Sequence, residues 1–196
     1  MPDEMARLAA ALARSGGASS DFDLNPGFAP QSQTLRPAAV LVGILAGRAG
    51  PEVILTKRAS HLKHHPGQIA FPGGKQEAGD PTPEATALRE AFEEIGLPPA
   101  HVRPIGRLPA HETVTGFQMT PILAEVAAFS PVPDPGEVEE IFTVPLSHLL
   151  NPGRYSVERR QWRGQWRAYY AVPWGPYYIW GATARILRGL AERVSG

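Results

Sequence analysis

One segment of this 196-residue chain has the complete sequence pattern of a helix, from its first turn to its end. Pro81 and Pro83 suit the first turn, where the missing N–H of proline leaves no hydrogen bond unmade. Gly96 is a typical helix end, and two prolines soon after it block continuation. Between these signals, apolar residues recur at helical spacing at Ala85, Leu88, Ala91, Phe92 and Ile95. The pattern predicts a helix over 81–96 with one apolar face to bury.

The segments on either side of this helix have strand patterns. A continuous apolar run at 38–46 predicts a strand buried on both faces, and residues 52–58 follow a tight turn as its hairpin partner. An amphipathic helix is predicted to close the chain over 179–194. Further patterns predict strands at 102–108, 119–128 and 138–144, a helical turn at 146–150 and a hairpin at 154–172. We therefore expect an α/β (α+β) fold, a mixed sheet sandwiched between helices.

The length of the chain fits one domain with an N-terminal extension. Apolar residues at helical spacing predict a short helix over 3–14, and the next two dozen residues are rich in Ser, Gly and Pro. We expect an N-terminal helix and extended linker at 1–36, followed by a single folded domain at 37–196.

Charge and composition exclude several classes of function. The 19 basic and 19 acidic side chains give a net charge of +0, so the sequence predicts neither a nucleic acid nor a membrane as a partner. The absence of cysteine excludes disulfides, thiolate zinc sites and a cysteine nucleophile. No apolar run approaches the ~20 residues of a membrane span, and residues 1–4 lack a secretory signal pattern. We expect a cytoplasmic protein.

The central helix carries a group of carboxylates. Glu90 and Glu94 are four residues apart and therefore lie on one face, with Glu93 beside them. Like charges at this spacing are unfavourable unless a cation lies between them, and oxygen ligands favour Mg²⁺ or Mn²⁺. Arg89, four residues before Glu93, can hold that carboxylate in one orientation. The alternative is a solvated acidic helix face.

A glycine-rich loop, Phe71-Pro72-Gly73-Gly74-Lys75, precedes the helix. Paired glycines let the backbone approach a ligand closely, so the loop and the carboxylates together can surround one metal-bound phosphate. The segment is not a P-loop, because Lys75 is followed by Gln76 instead of Ser or Thr.

The residues from Gly74 through Arg89-Glu90-Ala91-Phe92-Glu93-Glu94-Ile95-Gly96-Leu97 resemble the Nudix box, G-x5-E-x7-R-E-U-x-E-E-x-G-U, where U is apolar. The second half matches at every fixed position. The first half departs from the pattern: Asp80 stands in place of the outlying Glu, and one extra residue separates Gly74 from Arg89. Such a spacing, the segment LTKRASHLKHHPGQIAFPGG at 55–74 and the closing IWGATA at 179–184 are similar to the coenzyme A pyrophosphatase branch of the superfamily.

This resemblance implies a Nudix-like hydrolase domain at 37–196 that hydrolyses the pyrophosphate bond of coenzyme A or its derivatives. The products would be 3′,5′-ADP and 4′-phosphopantetheine. Catalysis would depend on Mg²⁺ or Mn²⁺ and on Arg89, Glu90 and Glu93. The metal ligands would be Glu90, Glu94, Glu93 and the Gly74 carbonyl, with Glu93 either a ligand or the group that deprotonates water. Two alternatives remain: another nucleoside diphosphate derivative such as ADP-ribose as substrate, or a nucleotide-binding module without turnover.

The resemblance also implies a set of substrate-binding residues. These are Arg58, His65, Gly67, Gln68, Phe71, Gly73 and Lys75. Of these, Arg58 and Lys75 could meet the 3′-phosphate of the substrate. A second acidic group, Glu137, Glu139 and Glu140, either supplies a further carboxylate to the metals or is a solvated strand edge. The oligomeric state is left open, with a homodimer as one alternative.

Overall fold

The computed structural model describes residues 2–14, 16–30, 32, 34–162 and 164–196. Within these ranges the α-helices are α1 (Pro2–Leu12), α2 (Pro83–Ile95), α3 (Leu146–Leu149) and α4 (Ala182–Ser195). The strands are β1 (Ser19–Ser20), β2 (Arg36–Gly47), β3 (Gly50–Arg58), β4 (Ile69–Ala70), β5 (Gly73–Lys75), β6 (Val102–Arg107), β7 (His111–Glu112), β8 (Phe117–Val126), β9 (Val138–Pro145), β10 (Ser156–Trp162), β11 (Gln165–Trp174) and β12 (Tyr177–Trp180). Short 3₁₀ turns lie at Pro26–Phe28, Pro99–His101 and Pro152–Arg154.

Strand β2 is the centre of the main sheet. It runs parallel to β8 and antiparallel to β3 and β5, in the order β1-β7-β8-β2-β3-β4. Strand β9 joins β3, and β6 joins β8. Because successive side chains of a strand point to opposite faces, Val40 and Val42 enter one core while Ala39 and Leu41 enter another. The prediction of a strand buried on both faces is confirmed.

Helices cover both faces of this sheet. Ala87, Ala91 and Ile95 of α2 pack in the core of Ala39 and Leu41. The opposite core is larger and is covered by α1, α4 and a second sheet of strands β10, β11 and β12. The expected mixed sheet between helices is therefore confirmed. Within the described ranges, no helix has the length and apolar character that crossing a membrane requires.

Two parts of the chain differ from or extend the sequence prediction. The last helix begins at Ala182 and not at 179, because Ile179 and Trp180 belong to β12 and pair with Val172 and Ala171 of β11. In the N-terminal extension, residues Met5, Leu8 and Ala11 of α1 are buried in the larger core. The domain boundary at residue 37 stays a prediction. Residues 1, 15, 31 and 33 of the extension and 163 of the hairpin lie outside the described residues.

Candidate active site

Helix α2 is defined by local capping. The side chain of Thr82 accepts a hydrogen bond from the N–H of Ala85 at 3.2 Å, and Pro83 occupies the first turn. The helix ends at Gly96, whose φ is 66°. One face of α2 packs on the sheet. Glu90 and Glu94 lie on the side of the helix that faces β5.

The three carboxylates of α2 differ in burial. Glu94 is only 5 % exposed. The side chain of Glu90 is 15 % exposed, and that of Glu93 is 53 % exposed. The face formed by Glu90 and Glu94 is therefore turned into the protein. The alternative of a solvated acidic face does not describe this pair.

The glycines of β5 allow these carboxylates to approach the backbone. The N–H of Gly73 donates a hydrogen bond to Glu94 Oε2 at 3.1 Å. Gly73 has a φ of 152°, and a Cβ on it would clash with the backbone of Ala39 and Val40. A Cβ on Gly74 would lie 2.6 Å from the carboxylate carbon of Glu90. The backbone therefore excludes a side chain at Gly73, whereas a side chain at Gly74 would displace the carboxylate of Glu90.

Arg89 connects the helix to the crossover that precedes it. Its Nε and Nη2 donate to the two oxygens of Asp80 at 3.1 and 3.0 Å. Its Nη2 also donates to the carbonyl of Lys75 at 3.1 Å. As the spacing predicts, Nη1 donates to Glu93 Oε2 at 2.9 Å, and it lies 3.0 Å from Glu90 Oε1. Arg89 thus orients two of the helix carboxylates and fixes the loop.

Asp80 is a residue whose contact the sequence left undetermined. Besides Arg89, its Oδ2 accepts hydrogen bonds from the N–H of Glu77 and the hydroxyl of Thr86, both at 3.0 Å. The hydrogen bonds from Arg89 are the largest cause that lowers the pKa of Asp80 to about 2. Asp80 therefore stays ionised and anchors the arginine.

The buried carboxylates form a site of concentrated negative charge. Burial is the main cause that raises the pKa of Glu94 to about 8, and the charges of Glu90 and Glu137 raise it further. Burial also raises the pKa of Glu90, although the adjacent Arg89 opposes this shift. Without a metal ion, burial and the neighbouring carboxylates therefore disfavour the ionised form of Glu94.

The second acidic group divides into one residue at the site and two that lie elsewhere. Glu139 pairs with Lys57 at 2.6 Å, and Glu140 accepts a hydrogen bond from the hydroxyl of Tyr177 at 2.5 Å. Glu137 raises the pKa of both Glu90 and Glu94, so its carboxylate is close to them. The loop that carries it is tied to α2, because the N–H of Asp134 donates to the carbonyl of Glu94 at 2.9 Å.

The donor set fits a hard divalent cation. The side-chain atoms of the site that could bind a metal are carboxylate oxygens, the ligand type that Mg²⁺ and Mn²⁺ prefer. A cation would also favour the ionised form of Glu94 and so oppose the rise in pKa that burial causes. Among the described residues, no three acidic or imidazole side chains converge as a preformed metal cage. Arg89 binds Glu93, whose side chain is largely exposed. The metal-ligand roles of Glu90, Glu94, Glu93 and the Gly74 carbonyl stay predictions.

The loop between β3 and β4 lies beside this cluster. It is closed by hydrogen bonds between Arg58 and the pair Gly67 and Gln68, at 3.1 and 3.0 Å. His65 has a φ of 54°, which is uncommon for a residue other than glycine and is often found at functional sites. Burial lowers the pKa of His65, and the charge of Arg58 lowers it further. Because the same Arg58 stabilises ionised Glu94, the loop and the carboxylates share one electrostatic environment.

The remaining predicted residues differ in position. Lys75 is exposed at the end of β5, next to the loop. Phe71 is 4 % exposed and packs in the larger core, so its side chain supports the loop from below. Asp21 of the N-terminal segment raises the pKa of His65 through its charge, although burial and the charge of Arg58 outweigh this effect. The linker-like composition of 1–36 carries no signal for this interaction.

Comparisons with known proteins agree with this geometry. A family model described as NUDIX domain matches residues 34–166. The uncharacterized Nudix hydrolase NudL of Enterobacter sp. (strain 638) is 42% identical over 165 residues, covering 81% of this chain and 83% of that protein. The NudL of Salmonella paratyphi B is 40% identical over 172 residues, covering 87% and 89%. The crystal structure of a MutT protein from Methanosarcina mazei Go1 has a TM-score of 0.50 at 17% identity, covering 85% and 96%, which supports the fold.

The matched region contains both the glycine loop and helix α2, and the site keeps all four charged residues of the second half of the box. The chain therefore belongs to the Nudix family of pyrophosphohydrolases, enzymes that generally use divalent metal ions on small nucleotide substrates.

Proposed function

We propose that this enzyme hydrolyses the pyrophosphate bond of coenzyme A or one of its derivatives, giving 3′,5′-ADP and 4′-phosphopantetheine. The proposal rests on one observation above all, the hydrogen bond that the N–H of Gly73 donates to Glu94 Oε2 at 3.1 Å. Gly73 belongs to the segment 55–74. The segment that resembles the coenzyme A branch therefore borders the carboxylates, as a substrate-recognition loop should.

The carboxylates account for the metal dependence. Glu90 and Glu94 would hold Mg²⁺ or Mn²⁺, with Glu93 and the Gly74 carbonyl as further ligands. The ion supplies charge neutralisation at the pyrophosphate and lowers the pKa of a bound water. Arg89 keeps Glu90 and Glu93 oriented through contacts at 3.0 and 2.9 Å. Glu94 contributes the charge that burial makes costly without a cation.

The base that deprotonates water remains a choice among three carboxylates, Glu93, Glu90 and Glu137. We favour Glu137, because Glu90 and Glu93 both contact Arg89, whereas Glu137 lies on a separate loop near the cluster. In this scheme water loses a proton to Glu137 while its oxygen bonds to phosphorus. The bond between that phosphorus and the bridging oxygen breaks, and the bridging oxygen leaves with the second phosphate.

The loop residues would recognise the rest of the substrate. Arg58 and Lys75 would contact phosphate groups, and His65, Gly67 and Gln68 would contact the rest of the substrate. Gln68 also faces the closing motif, since a Cβ on Gly181 would lie 3.8 Å from its Nε2. Gly73 and Phe71 shape the loop. A cytoplasmic location stays a prediction.

Product analysis tests the substrate. The protein is incubated with coenzyme A, ADP-ribose or a diadenosine polyphosphate, with Mg²⁺ or Mn²⁺, and the products are separated. We expect 3′,5′-ADP from coenzyme A at the highest kcat/KM. A higher kcat/KM for ADP-ribose would establish the alternative substrate instead.

A variant tests the recognition loop. Arg58→Ala should raise KM for coenzyme A more than for dephospho-coenzyme A, which lacks the 3′-phosphate. Lys57→Ala is the matched control, because Lys57 is the preceding residue but is paired with Glu139. Equal effects of Arg58→Ala on both substrates would show that Arg58 does not read the 3′-phosphate.

A further inference from the structure

Strand β10 is an outer strand of the second sheet and pairs with β11 on one side. All seven of its residues, Ser156–Trp162, are exposed. It pairs with β11, and in the described part of the chain no strand pairs with its other edge. A long free edge presents unpaired N–H and C=O groups and is a template for another strand.

The charges on this strand are arranged unfavourably in a single copy. Arg160 lies directly opposite Arg167 of β11, and like charges at opposed positions destabilise a sheet. Neither arginine forms an ion pair among the described residues; Arg167 lies instead over the rings of Trp162 and Phe28, at 4.6 and 5.0 Å. A carboxylate beside Arg160 would relieve this repulsion.

We propose that the β10 edge pairs antiparallel with the β10 edge of a second copy of this chain, around a two-fold axis at Arg159. Residues that lie opposite each other in an antiparallel pair point to the same face of the sheet. The two-fold axis must therefore pass between two copies of the same residue. An axis at Glu158 opposes two carboxylates. An axis at Arg160 forms no Glu–Arg pair. An axis at Arg159 places the two copies of Arg159 opposite each other. It also places Glu158 of each copy opposite Arg160 of the partner subunit, which gives two Glu–Arg pairs.

This register also covers the exposed apolar side chains of the hairpin. Val157, Trp162 and Trp166 are 51%, 43% and 65% exposed. Trp162 comes to lie opposite Ser156 of the partner subunit. On the other face, Val157 comes to lie opposite Gln161 of the partner subunit, which is the cross-strand neighbour of Trp166 in each copy. The two small sheets become one sheet of six strands.

Charge reversal tests both the surface and its register. In light scattering and sedimentation equilibrium, Glu158→Arg and Arg160→Glu should each raise the dimer dissociation constant about 30-fold, the equivalent of ~1 kcal/mol for each of two pairs. The double variant restores both pairs and should dimerise as the wild type does. An equal mixture of the two single variants should form a heterodimer, because both pairs between residues 158 and 160 are then complementary, as in the wild type.

The control is Arg154→Glu, which makes the same charge change at an exposed residue outside the strand and should leave the dimer intact. The pyrophosphohydrolase kcat should stay unchanged in all variants. An unchanged kcat shows that each variant is correctly folded, whichever nucleotide substrate the enzyme prefers. A wild-type chain that is monomeric at high concentration overturns the proposal. So does a dimer that neither reversal weakens, or single variants that fail to associate when mixed. Binding of the hairpin to anionic vesicles with no dimer would assign the edge to a membrane instead.

Discussion

Replacing Glu94 by Gln should make the metal-free protein more stable while it inactivates the enzyme. Glu94 is 5 % exposed, and burial is the main cause that raises its pKa from the ordinary 4.5 to about 8. Glutamine has the same shape and no charge, and its amide oxygen can still accept the hydrogen bond from the N–H of Gly73. The substitution therefore removes the penalty of a buried charge and keeps the contact.

The size of the effect follows from the two pKa values. The folded protein keeps a proton on Glu94 up to about pH 8, whereas the unfolded chain releases it near pH 4.5. Because the folded state binds more protons in this interval, stability falls as pH rises through it, by 1.36 kcal/mol per unit. At pH 7 the free energy of unfolding is therefore lower by about 3 kcal/mol than near pH 4.5. Glu94→Gln should raise the free energy of unfolding by about that much at pH 7 and should not change it near pH 4.5.

A bound divalent cation reverses the difference in stability between the wild type and Glu94→Gln, since it favours the ionised carboxylate. The wild type should gain stability on addition of Mg²⁺ or Mn²⁺, and Glu94→Gln should gain much less. Turnover of the variant should fall by orders of magnitude even at saturating metal.

The assay is chemical denaturation from pH 4.5 to pH 8, with a chelator and with metal, alongside kcat. Glu93→Gln is the control, because its side chain is 53 % exposed and the same change should leave metal-free stability nearly unaltered. A lower metal-free stability of Glu94→Gln at pH 7, or near-normal kcat, would refute the assignment of Glu94 as a buried metal ligand.

Three further predictions follow from the site. Gly74→Ala should reduce kcat at least ~10-fold in steady-state assays, because its Cβ would lie 2.6 Å from the carboxylate carbon of Glu90; an unaffected kcat would argue against close approach. Asp80→Asn should lower stability by about 1–2 kcal/mol at pH 7 in urea titrations. Because the pKa of Asp80 is lowered to about 2, this difference should shrink as the pH falls from 4 toward 2. Glu137→Gln should lower kcat by ~10²-fold or more, as loss of a general base does, whereas Glu139→Gln should not.

The elements predicted best are those determined by local chemistry. Helix α2 was expected at 81–96 and is found at Pro83–Ile95, because Thr82 and Gly96 terminate it through contacts within the helix itself. Strand β2 was predictable because its apolar run has no polar side chain to place on a solvent face.

Elements that depend on distant partners were harder to predict. Ile179 and Trp180 continue the apolar spacing of the last helix, yet they pair with β11, and a short apolar run does not distinguish the two. The same limit applied to the acidic residues 137–140. Their sequence does not show that Glu139 pairs with Lys57 while the charge of Glu137 acts on Glu94, since both interactions join segments far apart in the chain.

The departure of this chain from the box is explained by what Asp80 contacts. Aspartate is one methylene shorter than glutamate, and the crossover between Gly74 and Arg89 is one residue longer than the family pattern. Even so, both oxygens of Asp80 reach the guanidinium, at 3.1 and 3.0 Å. The bidentate pair therefore forms with the longer crossover and the shorter side chain. Because that pair holds the arginine that contacts Glu90 and Glu93, the departure at Asp80 leaves Arg89 tied to both helix carboxylates.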